Sequence, residues 1–117
     1  MTGYSVSLPD GWRSTETRDV VQYVYRVDES SQVLVSIRAR DDEWQLRAST
    51  VDEDALITRN DFLVGSYASL ERATSQTGRF LTLLTTDLET GSDVPLSRTV
   101  QDRIVSFSKP SFLRSLF

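Results

Sequence analysis

The stretch that decides the fold is Val33-Leu34-Val35-Ser36-Ile37-Arg38-Ala39-Arg40-Asp41-Asp42-Glu43-Trp44-Gln45-Leu46-Arg47-Ala48. Apolar side chains stand at alternate positions, Val33, Val35, Ile37 and Ala39 before the Asp pair, Trp44, Leu46 and Ala48 after it. That period is the signature of half-buried strands. The inward set changes from odd to even numbers across Asp41-Asp42, so opposed residues must sum to an odd number if both sets are to face one core. A tight turn at Asp41-Asp42 does this and pairs Arg40 with Glu43, Ala39 with Trp44 and Ile37 with Leu46.

Working outward, Val21, Tyr23, Tyr25 and Val27 form one face of a preceding strand. Their parity matches that of Val33 to Ala39, so a loop from Asp28 to Gln32 would set Val27 opposite Val33, Tyr25 opposite Val35 and Tyr23 opposite Ile37. Earlier still, Tyr4, Val6 and Leu8 alternate with Ser5 and Ser7, and Pro9-Asp10-Gly11 ends the run in a turn. A four-stranded antiparallel meander is expected.

Beyond it the period lengthens. Leu63, Tyr67, Leu70, Thr74, Thr77, Leu81, Leu84 and Leu88 advance in steps of four and three, which predicts one long helix from about Asn60 to Thr90, capped by Asn60 or Asp61 and stopped at Gly91. Ser92-Asp93-Val94-Pro95 reads as the start of a second, shorter helix with Leu96, Val100, Ile104 and Phe107 on its apolar stripe. Pro110 ends it. The fold class is therefore α+β, a single domain over residues 1–110 with the long helix on one face of the sheet, followed by an apolar and basic tail over 111–117.

The chain has 117 residues, a net charge of -4, no Cys and no His. Disulfide frameworks, zinc fingers, thiol nucleophiles, imidazole bases and the Ser-His-Asp triad are thereby excluded. The five Gly residues lie too far apart for a phosphate-cradling loop. Lys109, the one lysine, stands in a basic stretch before Pro110, a poor setting for the desolvation a nucleophilic lysine needs. The acidic clusters Asp41-Asp42-Glu43 and Asp52-Glu53-Asp54 lack the alternating ligands and central Gly of a calcium loop. No catalytic constellation, cofactor or metal site is expected. Twelve Arg and eleven Asp against one Lys and six Glu give a halophile-like, or GC-rich, composition. With no basic leader followed by an apolar run, and no span of membrane length, a cytoplasmic location without membrane contact is expected.

Two surfaces remain as candidates. Opposite the inward sets, Arg26, Arg38, Arg40 and Arg47 share the outer face of the sheet with Gln22, Ser36 and Gln45. Arginine's planar fork suits phosphate and carboxylate. The tail carries Phe112, Leu113, Leu116 and Phe117, which must dock on their own domain, on a second copy or on a partner. Its surroundings are basic, with Arg98, Arg103, Lys109 and Arg114 against Asp102.

The order of four antiparallel strands and a long helix, over about residues 3–90, resembles the single-stranded-DNA-binding transcription coactivators and their plant relatives. That resemblance implies nucleic-acid binding on the sheet, of which this chain matches the basic residues but not the outward aromatics. Gln101-x-x-Ile104-x-x-Phe107-Ser108 resembles a sliding-clamp-binding box without its final aromatic. The leading expectation is a small non-enzymatic binding or regulatory module acting through protein contacts, with the tail as a candidate element for self-association. The alternative is single-stranded nucleic-acid binding through Arg26, Arg38, Arg40 and Arg47.

Overall fold

A computed structural model describes residues 6, 8–16, 20–53, 57–91 and 94–108. The architecture is α+β: an antiparallel sheet followed by two helices. The strands are β1 (Trp12–Glu16), β2 (Val20–Arg26), β3 (Ser31–Arg40), β4 (Glu43–Asp52) and β5 (Thr58–Tyr67), and the helices are α1 (Leu70–Thr90) and α2 (Leu96–Ser108). Spatial order follows chain order, so the meander has five strands where four were expected.

The β3–β4 hairpin has the register read from the sequence, with Arg40 opposite Glu43, Ala39 opposite Trp44 and Ile37 opposite Leu46. Asp41 takes a left-handed φ of 54°, a conformation that a short polar side chain tolerates better than most. Between β2 and β3 the register is displaced by two from expectation: Tyr25 meets Val33, Tyr23 meets Val35 and Val21 meets Ile37. The turn is shorter because the N–H groups of Val27 and Asp28 both donate to the Ser31 carbonyl, while the Asp28 carboxylate accepts from the Ser30 N–H at 2.9 Å. A shift of two conserves parity, so every side chain keeps its face.

The expected first strand is not borne out at the residues of it that are described. Val6 and Leu8 lie outside regular structure and pack against the core, while Tyr4, Ser5 and Ser7 fall outside the described residues. The edge position belongs to β1, where Trp12 pairs with Tyr25 and Glu16 with Val21. Gly11, at φ 96°, makes the turn into it, a conformation open chiefly to glycine.

The long helix is corrected at its start. Thr58–Tyr67 is a strand, and α1 begins at Leu70 with Ser69 as its N-cap, the Ser69 hydroxyl accepting from the Arg72 N–H. The helical spacing of Leu63 and Tyr67 was misleading because β5 carries a bulge. Leu46 pairs with Gly65 but Arg47 with Leu63, leaving Val64 as the extra residue. The core-facing set thus changes from Tyr67 and Gly65 to Phe62 and Asn60 within one strand, and no single period of two runs through it.

Both helices cover one face. One continuous core joins Trp12, Tyr23, Val33, Val35, Ile37, Leu46, Ala48 and Val64 of the sheet to Ala73, Phe80, Leu81 and Leu84 of α1 and to Val100 and Phe107 of α2. Phe80 and Phe107 meet edge to face at 5.3 Å between centroids. Arg103 of α2 grips Asp87 of α1 with two hydrogen bonds, at 2.6 and 2.9 Å. Thr-rich α1 satisfies its hydroxyls locally: those of Thr77, Thr82, Thr85, Thr86 and Thr90 each donate to the carbonyl four residues earlier. Among the described residues no helix is long and apolar enough to cross a membrane.

Candidate anion-binding face of the sheet

The strand registers fix which side chains share the outer face, because cross-strand partners point the same way. Rows running across the sheet read Arg13, Val24, Leu34, Ser49, Asp61; then Arg26, Gln32, Val51, Arg59; then Thr15, Gln22, Ser36, Arg47, Leu63; then Val20, Arg38, Gln45, Ser66; and last Arg40, Glu43. Arg26, Arg38, Arg40 and Arg47 therefore lie on one face. The structure adds Arg13 and Arg59, which sequence reading missed because β1 and β5 were not seen as strands. The Arg59-x-Asp61-x-Leu63 alternation was the available signal.

Among the described residues six arginines meet three carboxylates, Glu43, Asp61 and Glu53, the last continuing the outward alternation of β4 beside Arg26 and Gln32, leaving this face at +3. The remaining residues of the sequence, with seven bases and fourteen acids, stand at -7. Among the described residues no helix or strand covers the face, and no carboxylate pairs with Arg13, Arg38 or Arg40. Arg26 donates to the Glu29 carbonyl at 2.7 Å and Arg47 to the Gln45 side-chain carbonyl at 3.3 Å, so both keep their charge uncompensated by those contacts. At the β5 side Arg59 pairs with Asp61 at 3.0 Å, and the Ser49 hydroxyl donates to the same carboxylate oxygen. The Ser49 hydrogen bond, helped by Arg59 and Arg47, holds the Asp61 carboxyl below its ordinary range.

Apolar side chains are interleaved with the arginines: Val24 and Leu34 are half-buried, and Leu63 is 48% exposed beside Arg47. The aromatics are elsewhere. Tyr23 is buried in the helix-covered core and Tyr25 and Trp44 pack against it. Among the described residues base-stacking platforms are therefore missing from the Arg-bearing side.

Other candidates resolve differently. Phe107 is core, packed on Phe80 with the Arg79 guanidinium 5.4 Å above its ring, so the clamp-box residues Ile104 and Phe107 serve packing. The basic island is largely neutralised where it is described, Arg98 by Asp102 and Arg103 by Asp87. Phe112, Leu113, Leu116 and Phe117 lie outside the described residues, as does the 110/111 division. A groove of about 700 Å³ between Val6, Leu8 and the α1 residues Thr74, Gly78 and Leu83 offers, among the described residues, Arg79 as its one ionisable group and no acid–base pair. Among the described residues no cluster of carboxylates could hold a metal ion.

The chain matches no protein-family model, no curated protein and no solved structure.

Proposed function

We propose that the protein is a small non-enzymatic binding or regulatory module that meets an acidic protein surface through the outer face of its sheet. One observation carries the reading: among the described residues this face stands at +3 on a chain whose net charge is -4, with Arg38 and Arg40 in no ion pair. Charge separation of this kind steers an anionic partner to one side of the molecule and repels it from the other. The interleaved Val24, Leu34 and Leu63 favour a protein over a bare phosphate backbone, since arginine mixed with apolar side chains is characteristic of protein interfaces.

Nucleic acid is the second reading, and one feature favours it. Arg40 and Arg38 follow one another along β3 and Arg47 stands diagonally across on β4, with steps of about 7 and 8 Å between Cα positions from the strand rise and spacing. A phosphate backbone can follow such a line. Titration with an acidic amphipathic peptide, a single-stranded oligonucleotide and a duplex, over a range of salt, separates the readings. The acidic-protein reading expects binding to the peptide that weakens with salt and falls about tenfold or more in the Arg38→Ala/Arg47→Ala variant. A log–log salt slope near 0.7 per phosphate contact for the single strand would favour nucleic acid. If no polyanion binds in a salt-dependent way, both readings fail.

A further inference from the structure

The outer edge of β5 has the properties of a pairing surface. β1, the opposite edge, is five residues long and bears Arg13 and Glu16. β5 is ten residues long, and from Thr58 to Leu63 it contains no Pro and no bulge; its charges, Arg59 and Asp61, are of opposite sign and so can be matched by a partner strand. Among the described residues no strand pairs with its outer side. Five large apolar side chains are exposed among the described residues, and two of them, Ile57 and Leu63, flank the bulge-free part of β5. Ile57, 78% exposed, precedes the strand; Leu63, 48% exposed, stands near the bulge.

The sequence Ile57-Thr58-Arg59-Asn60-Asp61-Phe62-Leu63 is complementary to itself when reversed about Asn60. Antiparallel pairing with a second copy in that register sets Ile57 opposite Leu63, Thr58 opposite Phe62, Arg59 opposite Asp61 and Asn60 opposite Asn60. Numbers in each pair sum to an even value, so same-face residues meet. The two exposed apolar residues cover each other, and each charge meets its opposite. Arg59 and Asp61 are half-exposed, with side-chain accessibilities of 56% and 50%, so both are open to a second partner. Shifting the register by two in the direction that centres on Asp61 would oppose carboxylate to carboxylate, so charge selects the Asn60-centred register.

We infer that the protein forms a two-fold symmetric homodimer by antiparallel β5–β5 pairing centred on Asn60, joining two sheets into one of ten strands. A copy of the chain is the partner that satisfies both the charge pattern and the apolar pattern, and a two-fold axis is the symmetry that makes one patch complementary to itself. Pairing over seven residues is a small interface, so the dimer is weak and concentration-dependent. This inference is independent of the anionic partner proposed above.

Sedimentation of the full chain across micromolar to millimolar concentrations tests it, with the expected result a monomer–dimer equilibrium. Arg59→Asp and Asp61→Arg each place like charges at two symmetry-related contacts, and each alone should weaken the dimer about tenfold. Mixed one to one, the two variants are complementary at both contacts and should restore a heterodimer of wild-type strength. Because the chain has no Cys, Asn60→Cys should give a cross-linked dimer on oxidation, since paired Cβ atoms lie about 4.5–5.5 Å apart and the disulfide closes with a small shift. It carries the test should the loss of the Ser49 contact prevent Asp61→Arg from folding. A monomer at every concentration, a dimer indifferent to both charge changes, or no recovery on mixing the folded variants overturns the inference.

Discussion

The indole N–H of Trp12 donates to the Thr85 hydroxyl at 2.7 Å, and both residues are 6% exposed. This bond ties the edge strand β1 to α1 across a sequence separation of 73 residues. Thr85→Val keeps the branched shape and removes the acceptor, leaving a buried indole N–H without a partner at a cost of about 1–3 kcal/mol. The Thr85 hydroxyl also donates to the Leu81 carbonyl, but that carbonyl retains its helical N–H partner, so little is lost there. Trp12→Phe removes the donor and part of the ring, with its own packing cost. Once the donor is gone, however, the valine leaves no orphan. The double variant should therefore be more stable than the sum of the single losses implies, by about 1 kcal/mol or more. Urea denaturation followed by circular dichroism measures all four corners of the cycle. A Thr85→Val cost below about 0.5 kcal/mol, or additivity within that margin, would refute the view that this hydrogen bond fastens β1 to the helix.

Three further outcomes are expected. Asp87→Ala should destabilise by about 1–2 kcal/mol, between the values for exposed and fully buried pairs, because it strands Arg103 at 23% side-chain exposure; Asp87→Ala with Arg103→Met should recover part of the loss in the same assay. Gly11→Ala should cost at least about 1 kcal/mol, since φ is 96° and the new Cβ would stand 2.7 Å from the Tyr25 ring; a thermal melt within error of wild type would contradict the geometry. The Asp61 carboxyl has a folded pKa below its unfolded one, so its contribution is complete above about pH 4 and is lost as pH falls through the folded value. Acid denaturation of dilute protein should accordingly show a shallower limb in Asp61→Asn than in wild type, and identical limbs would count against the Ser49 contact.

The strands between Val20 and Asp52 were legible because each buries one face, so parity alone assigns every side chain. Even the two-residue misregister between β2 and β3 left Arg26 and Arg38 on the correct side. β5 was hidden by a physical event inside it, the extra residue Val64, which reverses its inward set and left Leu63 and Tyr67 four apart in apparent helical phase. β1 was hidden because it buries Trp12 alone and exposes its other four residues, so no alternation can be read. Those two edges supply Arg13 and Arg59, and the candidate face was underestimated accordingly. α2 was predicted well because Pro95 marks its start and its stripe carries through from Leu96 to Phe107.

The strictly sequential strand order has a kinetic consequence. Successive strands are joined by connections of only two to five residues, so each pairing step closes a short loop and the sheet can grow hairpin by hairpin from β3–β4 outward. The helices pay a different entropic cost. α1 must return across strands already laid down before Thr85 can reach Trp12, the hydrogen bond of widest sequence separation described above. Stabilising the two-residue turn should accelerate folding, whereas weakening the Trp12–Thr85 link, which closes a much longer loop, should chiefly accelerate unfolding; a Thr85→Val variant slowed in folding rather than speeded in unfolding would contradict that order.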